Sequence, residues 1–454
     1  MVKVTLKSTY TVKPIESTPI HRLDLSEIDQ AKAWTHSPTV YFYRPNGQPN
    51  FFSAETVKTA LSQALVQFYP LAGRIEKDKE GRLELNCNEK GALFVEAKSD
   101  SDIDDLGDFA PTSELRGLVP YVDYNETHIS EWPLVLVQIT SFRCGGICLG
   151  LGISHIVADG AAAMLFVTSW AQIARTGSNV IGPKLMPFID RTVLRARVRK
   201  DAAEKTTKFD HIEYKRPPVL VSQVDETEEL KKETTVAVLK LSQYQVESLK
   251  RRANEGTMDE REYTRYETLA GHMWKCASEA RGLVDEQETK VHVSVDCRRR
   301  LRPALPANYF GNATFPTTPV AKAGDLISKP LSYAASKIRE GVRRMTDEYV
   351  RSAVDFLGSQ RDWSQFRTSF HSIDDKAKLG AYYGCPNLAI TSWIGLPLYT
   401  ADFGWGQPFH MGPTSLGADG KAYVISTEDD GIIVYLRLQT EHMEKFKELF
   451  YEDL

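Results

Sequence analysis

Residues 147–174 read ICLGLGISHIVADGAAAMLFVTSWAQIA. The segment Ile147 to Ser154 is an apolar strand pattern, and residues 160–174 read as a mostly buried helix. His155 stands at the junction between them. A strand-to-helix junction exposes side chains at a sheet edge while two rigid elements hold them in place. Working outward, Leu134 to Thr140 is a second strand, joined to the first through Cys144-Gly145-Gly146 turn chemistry. Upstream, Val57, Ala60, Leu61, Ala64, Leu65 and Phe68 paint one face of a helix over 54–68, which Pro70 and Gly73 stop. Downstream, TTVAVLKL at 234–241 is a strand. The chain ends with a strand, IIVYLRL, and a helix carrying Met443, Phe446, Leu449 and Phe450. Strand and helix patterns alternate throughout, so the fold class is α/β. One hydrophobic core rarely grows past roughly 250–300 residues, so 454 residues imply two domains.

Composition narrows the function classes. Hydrophobic residues make 42% and charged residues 26%, which leaves no case for disorder. A net charge of −4 argues against a general nucleic-acid or membrane-surface binder. No run reaches the ~18 apolar residues of a membrane span. The start, MVKVTLKSTYTV, alternates Val2, Val4 and Leu6 and reads as a strand, not a signal peptide. Six scattered cysteines, with Cys144 and Cys148 the one close pair, read as reduced, buried thiols and point to a cytosolic location. Residues 175–235 are rich in Pro, Lys, Arg and Glu. Within them RTVLRARVRK at 191–200 holds five basic residues and no acid, either a solvated linker or an anion-contacting surface. The domain crossover falls here, dividing the chain into 1–190, a crossover at 191–233, and 234–454.

His155-Ile-Val-Ala-Asp159 is an H-x-x-x-D sequence, but His292 to Asp296 and His371 to Asp375 share the spacing. Context separates them. His371 lies in the polar, loop-like FHSIDDKAKLG. His292 lies in VHVSVDC, an alternating strand pattern that makes it a strand-face histidine. His155 has the junction, with Gly160 and three alanines leaving space beside it. Histidine also has the unperturbed pKa nearest neutrality, which suits a general base. A second unusual segment is Asp402-Phe403-Gly404-Trp405-Gly406, whose glycines around a tryptophan read as a packed, fixed turn.

HIVADG at 155–160 followed by DFGWG at 402–406 resembles the plant BAHD acyltransferase family. The stretches SPTVYFY at 37–43, FYPLAGR at 68–74, ETLAGHMWK at 267–275, YFGN at 309–312 and CPNLAITSW at 385–393 fit the same family, so the resemblance spans essentially the whole chain. It implies two chloramphenicol-acetyltransferase-like domains, each a mixed sheet flanked by helices, with a channel at their interface and His155 at its centre. The domain 1–190 would carry H-x-x-x-D and 234–454 would carry DFGWG. The resemblance further implies that Asp159 turns away to pair with Arg298, and that Asp402, Gly404, Trp405 and Gly406 shape the fold and the CoA channel. No cofactor is held permanently; acyl-CoA is a co-substrate. Within the family the chain is most similar to hydroxycinnamoyl transferases that act on spermidine, through ELNCN at 84–88, KFDHIEY at 208–214, TRYET at 264–268 and FYEDL at 450–454. Shikimate-acylating relatives carry an arginine in an R-G-x-H pattern before CPNL. Here Lys378-Leu-Gly-Ala-Tyr-Tyr-Gly384 lacks that arginine and histidine, and Lys378 has no bidentate fork.

These resemblances imply transfer of a hydroxycinnamoyl group from CoA to a spermidine amine, with His155 as general base and the Trp393 indole N–H meeting the oxyanion. Thr39, Tyr41, Tyr382 and Tyr383 are candidate acceptor contacts, the tyrosines as ring partners for ammonium groups. Arg265, Arg299, Arg300 and Arg302 are candidate contacts to CoA phosphates. The alternative is an O-acyltransferase acting on shikimate, quinate or another alcohol. Two domains sharing one channel need no protein partner, so a monomer is expected.

Overall fold

The computed structural model describes residues 2–178, 181–197, 208–221, 226–256, 261–366, 384–452 and 454. Ile147–Ser154 is a strand whose every residue is buried. It lies inside a six-stranded sheet in the order Val4–Val12, Ala92–Ser99, Val135–Ser141, Ile147–Ser154, His36–Tyr43, His410–Pro413. Its pairings are antiparallel except between Ala92–Ser99 and Val135–Ser141. A seven-stranded sheet fills the second half. Its path runs Thr314–Thr317, Glu288–Asp296, Leu388–Ser392, Lys421–Ser426, Ile432–Gln439, Thr234–Leu241, and Val320–Lys322 adds to Glu288–Asp296. Glu288–Asp296, Leu388–Ser392 and Lys421–Ser426 run parallel.

Helices cover these sheets as the periodicities require. Ala54–Gln67 buries Val57, Ala60, Leu61, Ala64 and Leu65 and ends at Phe68, before the Tyr69–Ala72 turn. It packs beside Gly160–Thr176, whose Trp170 indole donates to the Val57 carbonyl at 3.0 Å. In the second half Arg265–Ala280 starts with a reciprocal cap between Thr264 and Glu267 and buries its length between sheet and neighbouring helices.

Several expectations need amendment. His410–Pro413 lies within 234–454, yet it pairs with His36–Tyr43 and covers the edge of the first sheet. Phe403 and Trp405 pack into the first half's core as well. Where the basic stretch after residue 190 is described its arginines are paired with acids: Arg191 is buried against Asp29 at 3.1 Å, Arg195 meets Asp24 at 3.0 Å, and Arg197, largely exposed, bonds Asp355. Those acids turn it into a strap fastened to both halves. The strand expected at the start is present as Val4–Val12, but its Leu6 is 63% exposed. All six cysteines are free thiols, but Cys144, at the hairpin turn, is exposed. Among the described residues no helix is long and apolar enough to cross a membrane.

Candidate active site

The turn after Ile147–Ser154 is held from both halves. The His155 N–H donates to the Thr35 carbonyl at 2.9 Å. The Asn312 side-chain amide donates to the His155 carbonyl at 2.9 Å, the Ile156 carbonyl at 3.1 Å and Asp29 at 2.8 Å. Asp159 then caps the helix, accepting from the Ala162 N–H at 3.0 Å. The same carboxylate crosses to the second half. It receives both Arg298 terminal nitrogens at 2.8 and 2.9 Å, the Ala313 N–H at 2.9 Å and the Thr314 hydroxyl at 2.9 Å. Burial would raise its pKa, but Arg298 overrides burial and holds it down at about 2. Asp159 is therefore a committed anion that fixes the turn, not a proton acceptor, in the pairing the resemblance implies.

His155 faces a cavity of about 510 Å³ between the two sheets. Lys32, Thr39, Tyr41 and His155 line it from the first half; His292, Thr391, Trp393, Lys421 and Tyr423 line it from the second. Burial, then the positive charge of Lys32, push the imidazole pKa down to about 4. At neutral pH the ring is uncharged and able to accept a proton. Lys421 is buried, its pKa pulled down to about 7 by desolvation. The three carboxylates among the described lining residues are each engaged by protein donors. Asp159 and Asp296 hold Arg298, while Glu213 meets His211 at 3.0 Å and the Tyr349 hydroxyl at 2.7 Å. A neutral imidazole in a cavity to which both halves contribute suits proton abstraction from a neutral acceptor.

A family model described as Transferase family matches residues 2–453. The chain belongs to that family, the BAHD acyltransferases. As a BAHD enzyme it is an acyltransferase with acyl-CoA as co-substrate. It is 47% identical to the hydroxycinnamoyl-CoA:piscidic acid hydroxycinnamoyltransferase of Actaea racemosa, over 99% of this chain and 100% of that one. It is 45% identical to the shikimate O-hydroxycinnamoyltransferase of Nicotiana tabacum, again over 99% and 100%. The fold is that of F. graminearum TRI101 complexed with coenzyme A and T-2 mycotoxin, with TM-score 0.73 at 16% identity, over 94% of this chain and 97% of that one.

Against this BAHD frame the expected residues divide. Thr39 and Tyr41 line the cavity beside His155, and so does Trp393, its indole 4.7 Å from the Tyr423 ring. Tyr382, Tyr383, Lys378 and His371 lie outside the described residues. The DFGWG segment stands apart from the cavity wall. Asp402 accepts from the Gly404 and Gly406 N–H groups at 2.8 and 3.0 Å, and both glycines have φ above +100°. Phe403 packs on Trp170 at 4.9 Å and Trp405 on Phe52 at 5.4 Å. Its contacts are those of a packed turn. Arg265, Arg299, Arg300 and Arg302 do not reach the cavity wall. Arg300 donates to the Val342 and Met345 carbonyls, closing a helix end, and Arg265 pairs with Glu247 at 2.8 Å. Lys32 and Lys421 line the cavity but were not singled out in the sequence, and His292, read there only as a strand-face histidine, lines it too. For His292 a signal existed. The alternation Val291, Val293, Val295 assigns one face of the strand to the core, which leaves His292 and Ser294 on the other, and that face is the cavity. Lys421 begins a strand far along the chain, and nothing local announces its neighbour.

Proposed function

We propose that this enzyme moves a hydroxycinnamoyl group from CoA to a hydroxyl of a hydroxylated carboxylic acid, with His155 as general base. The observation that carries the reading is the buried, neutral imidazole in a cavity built by both halves. His155 accepts the acceptor's O–H proton as that oxygen bonds to the thioester carbonyl carbon. The carbonyl oxygen becomes an oxyanion, and the Trp393 indole N–H is the donor nominated to meet it. When the intermediate collapses, the C–S bond breaks and the imidazolium returns its proton to the CoA thiolate. A ring of depressed pKa gives up that proton readily.

The acceptor moves from the amine of spermidine to a hydroxyl for two reasons. The Actaea and Nicotiana relatives are named for piscidic acid and shikimate, and the second is named an O-transferase. The charge balance of the wall agrees. A primary ammonium of pKa ~10.4 stands roughly 3.4 units above neutrality, about 4.6 kcal/mol from its free base. Its distant ammonium groups would also need carboxylates, and those in the described wall are already held by Arg298, His211 and Tyr349. A hydroxyl arrives neutral. The test supplies p-coumaroyl-CoA with shikimate and with spermidine in separate reactions and weighs the products. An ester from shikimate is expected; product from spermidine alone would overturn the reading.

A further inference from the structure

We propose that Arg191, in the crossover between the halves, is a positioning residue for the transfer: with Asp29 and Asn312 it grips the backbone of the turn that carries His155 and so aims the imidazole without itself reaching the cavity. The inference rests on His155 as the general base proposed above, and not on which acceptor that base serves.

The turn needs donors from outside. His155, Ile156 and Val157 lie between the strand Ile147–Ser154 and the helix Gly160–Thr176, so their carbonyls fall outside both ladders. Side chains supply all three. The Asn312 amide donates to the His155 and Ile156 carbonyls at 2.9 and 3.1 Å, and an Arg191 terminal nitrogen donates to the Val157 carbonyl at 2.7 Å. Asp29 ties the two donors together. One of its oxygens accepts from the Asn312 amide at 2.8 Å; the other stands 3.1 Å from Arg191 and accepts from the Ser26 hydroxyl at 2.7 Å. Arg191 and Asp29 are 3% and 0% exposed, and neither they nor Asn312 line the cavity. They hold the turn through its backbone.

The crossover delivers Arg191 under constraint. The Phe188 N–H donates to the Asn308 carbonyl at 2.9 Å, and the Phe310 N–H donates to the Phe188 carbonyl at 2.8 Å. The segment that brings Arg191 is thus bonded to the segment that brings Asn312. Asp190 then accepts from the Thr192 N–H at 2.9 Å and fixes the turn that follows. A buried ion pair adds little net stability, because desolvation offsets the attraction. What the guanidinium fork adds is direction, since it meets a carboxylate and a carbonyl at once. Direction matters here because a displacement of about 1 Å in a catalytic group can cost on the order of a hundredfold in rate.

The experiment uses the full-length enzyme with p-coumaroyl-CoA and shikimate, or spermidine should wild type turn over only that, and reads the single-turnover rate. Arg191→Lys keeps a charge beside Asp29 but loses the fork. Its rate should fall by about ten- to a hundredfold, with both KM values within about twofold of wild type and the circular dichroism spectrum unchanged. The acid limb of its pH profile should not move, because burial and Lys32 set the imidazole pKa. A folded Arg191→Lys enzyme with the wild-type rate, or one whose loss lies in KM or in a shifted acid limb, overturns the assignment and leaves His155 as base. Should the lysine form fail to fold, Arg191→Ala decides: millimolar ethylguanidinium should restore part of its rate, and no recovery overturns the assignment. Insolubility of both variants makes Arg191 a folding residue and overturns it too. Turnover retained by His155→Ala removes the base itself, and this inference with it.

Discussion

At the scale of single residues, two neighbours in one turn are driven in opposite directions. His155 is kept neutral by burial and by Lys32, while Asp159, four positions on, is kept ionised by Arg298 against the pull of burial. The neutral ring acts as base above its pKa of about 4 and is lost to protonation below it. The kcat/KM profile should therefore hold from neutrality down to about pH 5; an acid limb at the ordinary histidine value of ~6.5 would contradict the assignment. Replacing His155 with alanine should abolish transfer and leave the circular dichroism spectrum unchanged. Asp159→Asn should destabilise the protein by about 3–5 kcal/mol in urea unfolding, because it leaves the Arg298 guanidinium buried without its anion. The pH dependence has a definite sign. The folded-state pKa of about 2 lies below the unfolded value of ~3.9, so the stabilisation is complete above the unfolded value and is lost as pH falls towards the folded one. The gap between wild type and Asp159→Asn should close in acid.

Secondary elements explain why this turn is rigid. The strand Ile147–Ser154 uses Gly150 where the backbone of Leu118 crosses it: a Cβ there would stand 1.9 Å from the Leu118 carbonyl oxygen. Gly150→Ala must displace backbone, and a loss of about 1–3 kcal/mol is expected from thermal unfolding. The DFGWG turn works at a distance, through Phe403 against Trp170 on the helix that follows His155. Phe403→Ala should lower stability by about 3–5 kcal/mol, read as a fall in the denaturant midpoint. Much of this level was legible beforehand. The strand, the helix over 160–174 and the helix over 54–68 all stand within a residue or two of their expected bounds, since each pattern repeats over two to four positions. His292 was assigned to a strand face correctly, but which face the cavity occupies is not a local property.

For the whole molecule the governing fact is that the halves are interleaved. His410–Pro413 completes the first sheet, the Asp159 clasp joins its turn to Arg298, Ala313 and Thr314, and Arg191 and Arg197 tie the crossover to both sides. Residues 1–233 produced alone should therefore aggregate, having an open edge at His36–Tyr43 and no Phe403 or Trp405 over Phe52. Co-production with 234–454 should recover soluble protein, measured by gel filtration; a soluble, monomeric first half would refute the interleaving as a requirement. Reading along the chain located the α/β alternation, the histidine at its junction and the packed nature of the DFGWG turn, because hydrophobic periodicity and turn chemistry act between near neighbours. Which residues share the cavity with His155 and which strand is exchanged between the halves were decided only by tertiary contact. Coulombic and pairing forces operate through space, between residues that chain order leaves far apart.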